Sequence, residues 1–394
     1  MTGEDASAPL VAILATCNTK QVEADFLASA MTDFGLTPVI IDTGLSSVDG
    51  KTTPEQKIRL MQKSADKAGE KLDELMRSGL AGAIGIGGGT GTWVCINAMD
   101  KRPFGWPKVI VSTLAYDVRV SIAASDIILM PSVADIQGLN PTLRKVLENA
   151  AAVMFGLTST AIHREHAKKP VVGITSLGVT NDAVTGISNK LIKAGYEVTT
   201  FHATGMGGRA FERWVSDGKL DAVIDLTTQE LHGLNYGAPI VCDSNRMTCA
   251  AAFGVPQVVV PGGMDFIARG QLKTLTEKEL ARPRFCHSPE YTHIRATKEQ
   301  VTSTARIMAE RLNEATGPVA VVVPLGGFSV EGSSPDGTMW DPELCKLFTM
   351  TLQHHINPMI PITTSSEAIT SPAFHDLVLG VFFDIINQSK PDRS

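Results

Sequence analysis

Short apolar runs alternate along this chain with longer stretches in which apolar residues recur every three or four positions. A continuous apolar run of four to eight residues predicts a buried strand, and the longer period predicts a helix with one face on a core. Residues 10–15 form the first such strand. The loop Thr16-Cys17-Asn18-Thr19-Lys20 then leads into a helix with Val22, Phe26, Ala30 and Phe34 on one face. Residues 37–41 are a second strand ending at Asp42, and Ile58, Met61, Ala65, Ala68, Leu72 and Leu75 mark a long amphipathic helix. Residues 80–86, 107–111 and 126–130 read as further strands, and 141–154 as a helix.

The second half echoes the first. Residues 170–175 are a strand, 176–180 a loop of small residues, and Val184, Ile187, Leu191 and Ala194 a helix face. The stretch 78–86 is matched by 217–225, and 106–111 by 255–260. Strands alternating with helices call for a parallel sheet, whose ligands bind beyond the carboxyl ends of the strands. The expectation is an α/β chain with two Rossmann-like parallel-sheet domains of similar topology. The boundary is placed in the charged segment 163–170, giving an amino-terminal nucleotide-binding domain, 1–166, and a carboxyl-terminal domain, 167–394. Residues 267–300 have weak periodicity and read as an inserted loop. Helices are expected from near Lys298, over 342–355 and over 372–388.

Composition narrows the function classes. The chain has 394 residues, 43% of them hydrophobic and 19% charged, enough for two cores. A net charge of −6 leaves no general basic field for nucleic acid. No apolar stretch approaches the roughly 20 residues of a membrane span, and residues 1–8 do not resemble a signal peptide, so a cytoplasmic protein is expected. Six scattered cysteines contain no C-x-x-C pair and read as reduced thiols; no metal site is expected. The pair His163 and His166 sits in the charged linker, where solvation is expected.

Two glycine-rich turns carry the candidate chemistry. In Gly87-Gly88-Gly89-Thr90-Gly91-Thr92 the backbone can turn several N–H groups towards one point at a helix start, which suits a phosphate or carboxylate. The run lacks the Gly-Lys-Ser/Thr of a P-loop and the third glycine of the dinucleotide fingerprint. Thr16, Asn18, Thr19, Lys20, Ser112 and Thr113 belong to loops expected to converge on it, with Asp42 or Asp126 as contacts to ribose or Mg²⁺. The second turn, Gly205-Met206-Gly207-Gly208, precedes Arg209, a candidate anion anchor, while Glu230 and His202 are candidates for a general acid/base pair.

Several of these segments together resemble a known family. They are 15–20, 84–92, Val111-Ser112-Thr113, Ser125-Asp126-Ile127, 132–140, 202–208 and Pro261-Gly262-Gly263. In this order they are similar to the long-uncharacterised protein family that includes the tomato mosaic virus resistance protein, and the resemblance spans most of the chain. It implies two Rossmann-like domains, an ATP-binding site in the amino-terminal one, and homodimers. Two departures stand out: Asn18 replaces the family's usual aspartate, and Leu114-Ala115-Tyr116-Asp117 replaces smaller residues.

The expected function is therefore ATP or nucleotide binding, with Mg²⁺ as an accompanying ion and a small anionic metabolite in the cleft between domains. Two other classes stay open. One is a nucleotide-sensing or partner-binding module without turnover, and the other is a metabolite enzyme that uses no nucleotide.

Overall fold

A computed structural model describes residues 8–45, 52–159, 169–239 and 241–388. These divide into two compact units, one on each side of the segment 160–168. The expected boundary, with His163 and His166, lies outside the described residues.

The first unit runs β1 (Leu10–Ala15), α1 (Cys17–Asp33), β2 (Thr37–Asp42), α2 (Pro54–Arg77), β3 (Leu80–Gly87), α3 (Gly89–Met99), β4 (Lys108–Ser112), β5 (Ile128–Pro131) and α4 (Pro141–Ser159). Its five strands are all parallel, in the order β2-β1-β3-β4-β5. The alternation of side chains across each strand builds three layers. Val11, Ile13, Ile84 and Val109 face α1 and α4 through Leu27, Leu143 and Leu147, whereas Ala12, Leu14 and Ile110 face α2 and α3 through Leu72, Cys95 and Ile96. Both faces are covered, so the strands read as unbroken apolar runs. The start of α2 is fixed by a capping box: Thr53 accepts from the Gln56 amide, and the Gln56 side chain accepts from the Thr53 amide.

The second unit runs β6 (Val171–Ser176), α5 (Asn181–Lys193), β7 (Glu197–His202), α6 (Met206–Ser216), β8 (Ala222–Thr227), α7 (Glu230–Tyr236), α8 (Cys249–Ala252), β9 (Gln257–Gly262), β10 (Phe266–Arg269), α9 (Glu277–Leu280), β11 (Arg284–Ser288), β12 (Tyr291–Arg295), α10 (Lys298–Asn313), β13 (Val319–Pro324), α11 (Pro342–His355), β14 (Ile362–Ser365) and α12 (Pro372–Gln388). Six strands form a second parallel sheet in the order β14-β13-β9-β8-β6-β7. On one face Ile174, Ile224, Val258 and Val322 meet α5 and α12, and on the other Val259, Val321 and Val323 meet α10 and α11.

Both halves are thus Rossmann-like α/β units with the same order through their first five strands, 2-1-3-4-5, in which the chain reverses direction between the first and third strands. The expected inserted loop at 267–300 is instead largely ordered. β10, β12 and β11 make a small antiparallel sheet, and α10 begins at Lys298. Its pattern is faint because β11 is mostly exposed and two of the three strands carry arginine and histidine in place of an apolar run. Strand β14 is likewise silent in the sequence, being four residues long with three of them polar.

Candidate functional site

In a sheet of this order the loops after the first and third strands leave towards opposite faces, and the crevice between them is where ligands bind. In the first unit those loops are Thr16–Lys20 and Gly87–Thr92. The sharp turn out of β3 needs glycine at 87, since a methyl group there would stand 2.8 Å from the backbone of Gly91. Gly88 caps α3 without any side-chain bond. The amides of Gly88, Gly89, Thr90 and Gly91 make no hydrogen bond among the described residues; the first amide to find a partner is that of Thr92, which donates to the Gly88 carbonyl at 2.8 Å. Four consecutive donors at a helix start concentrate partial positive charge.

Two predicted residues, Thr16 and Thr113, reach this turn, and the others lie on the neighbouring segments. A methyl group at Gly91 would come within 3.6 Å of Thr16 Oγ1, and one at Gly88 within 3.8 Å of Thr113 Oγ1, so both loops reach the amides. Lys20 sits at a kink in α1, half-buried, and its ammonium donates to the Ile136 carbonyl in the loop after β5. Asn18 and Thr19 stand exposed on the first turn of α1, and the Thr19 hydroxyl donates to the Thr16 carbonyl at 3.3 Å. Asp42 Oδ1 accepts from the amides of Cys17, at 2.9 Å, and Gly44, at 2.8 Å, tying the ends of β1 and β2 together.

Three of the predicted contacts face elsewhere. Thr92 and Ser112 are buried and bond each other at 2.7 Å; Thr92 Oγ1 also reaches the Gly87 carbonyl at 3.1 Å, and Ser112 Oγ accepts from Leu114 N at 2.9 Å. They brace the turn from beneath. Asp126 pairs with Lys108 at 2.6 Å and accepts from the Gly105 amide. Lys108 opens β4 whereas Ser112 closes it. Asp126 therefore lies one strand length, roughly 13 Å, from the turn.

The second glycine turn holds an anion that belongs to the protein. Glu230, 4% exposed, places Oε1 on the amides of Gly205 and Gly208, the latter at 3.2 Å. Glycine at 208 makes room for it, because a methyl group there would stand 2.2 Å from Glu230 Oε2. Arg246, fully buried, donates to Glu230 Oε2 at 2.6 Å and grips Asp225 with both terminal nitrogens at 2.6 and 2.7 Å. The same guanidinium reaches Glu212 at 3.2 Å, and burial pushes the Glu212 carboxyl up despite Arg246. Arg209 pairs with Asp243 and donates to the Val241 carbonyl at 3.2 Å. The expected trio is thus not assembled as an acid, a base and an anion anchor. Glu230 has both oxygens engaged and no hydrogen bond to His202, and Arg209 already has a carboxylate partner.

Beside that turn, at the carboxyl ends of β6, β7 and β8, is a cavity of about 230 Å³. Leu177, Phe266, Gln229, His202, His287 and His293 are among its walls. His287, His293 and Tyr291 escaped sequence reasoning because they lie in the stretch read as a loop. Arg246, the centre of the buried charge network, lies between short helices where no period marks it.

Comparison with known proteins assigns the family. The sequence models of the Uncharacterised protein family (UPF0261) match its amino-terminal domain to residues 46–163 and its carboxyl-terminal domain to residues 169–386. The chain belongs to the UPF0261 family. A UPF0261 protein of Rhizobium meliloti is 32% identical over 398 residues, 95% of this chain and 98% of its own length. One from Clostridium tetani is 33% identical over 81% of this chain and 84% of its own. The ToMV resistance protein Tm-1(GCR237) of Solanum lycopersicum is 34% identical over 79% of this chain, a region that makes up 42% of that protein. Among the described residues of this UPF0261 chain, no helix is long and apolar enough to cross a membrane, and no three His, Cys, Asp or Glu side chains are arranged to hold a metal ion.

Proposed function

We propose that the amino-terminal unit binds the phosphates of ATP or a related nucleotide at the turn Gly88–Gly91. The observation that carries this reading is the row of four uncommitted amides at the sheet's switch point. Thr16 and Thr113 add hydroxyls, and Lys20 adds a positive charge whose neighbour is a carbonyl. The resemblance to the resistance-protein family points to the same unit. Mg²⁺ would arrive with the nucleotide.

Binding without turnover is the form of the proposal that the geometry favours. Glu230, the candidate base, is locked between Arg246 and two glycine amides. Cytoplasmic location and a homodimer remain part of the proposal on the strength of composition and of the family resemblance.

The test is calorimetric titration of the whole chain with MgATP, alongside Gly89→Asp. A side chain at 89 meets only Ala115 Cβ at 3.5 Å, an ordinary contact, so the variant keeps its fold. Its carboxylate stands where a phosphate would lie, and at least a hundredfold loss of affinity is expected, about 2.7 kcal/mol or more. Saturating ligand adds about 2.7 kcal/mol of stability at a hundred times Kd. If ATP, ADP and GTP at millimolar levels all leave the melting temperature unchanged, the proposal fails.

A further inference from the structure

We propose that the cavity at the carboxyl ends of β6, β7 and β8 is a second binding site, for a small uncharged planar molecule carrying a carbonyl or carboxamide group. It rests on the carboxyl-terminal unit alone and is independent of the nucleotide reading. The cavity lies where a sheet of order 2-1-3-4-5 receives ligands, between the loop after β6, with Leu177, and the loop after β8, with Gln229.

Two of its wall residues are polar, more than nine-tenths buried, and unpaired. Gln229 is 5% exposed and its Nε2 has no hydrogen-bond partner among the described residues; His293 is 8% exposed and the same is true of its Nδ1. A buried polar atom without a partner costs about 1–3 kcal/mol, and here one is a donor, Gln229 Nε2, and the other a ring nitrogen whose role follows the tautomer, so the site gains from a guest that pairs them. A carbonyl oxygen answers the Gln229 amide N–H directly.

The rings select shape. His293 stacks on Phe266 with centroids 4.1 Å apart and planes at 22°, and on His287 at 5.2 Å and 8°, so flat faces border the space. The volume of about 230 Å³ lies below the range of about 300–1,000 Å³ for drug-sized ligands, which suits a molecule of one or two rings.

Charge selects against anions. Among the described residues, no lysine or arginine lines the cavity, and the one acidic wall residue is Glu230. Behind it Arg246 is shared among three carboxylates, Glu212, Asp225 and Glu230. Burial and the neighbouring His287 push His293 down to about 4, so it offers no cation at neutral pH. A carboxylate guest would therefore enter unpaired.

The experiment titrates the full chain, by calorimetry and saturation-transfer NMR, with two matched pairs: nicotinamide against nicotinate, and uracil against orotate. The expected result is binding of at least one neutral member, about tenfold or more tighter than its carboxylate. That binding falls about tenfold in Gln229→Leu, while the melting temperature does not fall because the exchange removes an unpaired polar group. His293→Phe, which keeps the ring stack, is the second variant and is expected to weaken the same ligand. The proposal is overturned if the carboxylates bind as well as the amides, if neither variant changes binding, or if no neutral member binds at 10 mM.

Discussion

Asp265, in the turn between β9 and β10, ties the stability of the carboxyl-terminal unit to pH. Its Oδ2 accepts from Ser329 Oγ at 2.7 Å, while Oδ1 is buried with no partner among the described residues. Burial pushes the carboxyl from its ordinary 3.8 up to about 7; the Ser329 bond opposes this, and the nearby Glu331 charge reinforces it. Because the folded value lies above the unfolded one, the native chain between pH 4 and 7 holds a proton that the unfolded chain has released. The stabilisation is therefore complete below about pH 4 and lost as pH rises through about 7. Three units at roughly 1.4 kcal/mol each amount to about 4 kcal/mol. Asp265→Asn keeps the shape and removes the titration. The variant should match wild type within about 1 kcal/mol at pH 4 and exceed it by about 3–4 kcal/mol at pH 8. The assay is urea unfolding from pH 4 to 8 at fixed ionic strength, with hydrogen exchange read on β9 and β13 so that only this unit's transition counts. A difference that stays flat across that range, or that favours wild type at pH 8, would refute the reasoning.

Further outcomes follow from the buried charges and the glycine turn. Arg246→Met strands three buried carboxylates and should cost about 3–5 kcal/mol at pH 7, measured by denaturant unfolding. The deficit should shrink as pH falls and the carboxylates take up protons. Gly208→Ala pushes a methyl group onto Glu230 Oε2, the oxygen held by Arg246, so a loss of about 1–3 kcal/mol and a lower melting temperature are expected. In the amino-terminal unit, Lys20→Ala should weaken MgATP about tenfold with little change in melting temperature, since among the described residues the ammonium bonds the Ile136 carbonyl alone.

Much of the fold was legible because the sheets are covered on both faces. Residues 10–15, 342–355 and 372–388 were read with the bounds that β1, α11 and α12 have. Legibility failed where burial is one-sided, as in the antiparallel β10–β12 sheet, or where an element is short, as in β14. At the sites, glycine spacing located both turns and their helices. It did not say what each turn holds. Free amides at Gly88–Gly91 and amides closed by Glu230 look alike in sequence, because the closing carboxylate comes from 22 and 25 residues away. Reading 126–130 as a strand already set Asp126 at the amino end, away from the carboxyl-end turn; the structure keeps it there, two residues ahead of β5, held by Lys108 and the Gly105 amide.

Positions 212, 225, 230 and 246 are bound into one buried ion network and should be inherited together. Altering the guanidinium alone leaves three carboxylates without their counterion, and altering a carboxylate alone removes a grip on the segment carrying Arg246. Only concerted replacement, such as an apolar quartet of matching volume, opens a downhill evolutionary route. Random change in this half of the protein should accordingly accumulate around the quartet and seldom within it.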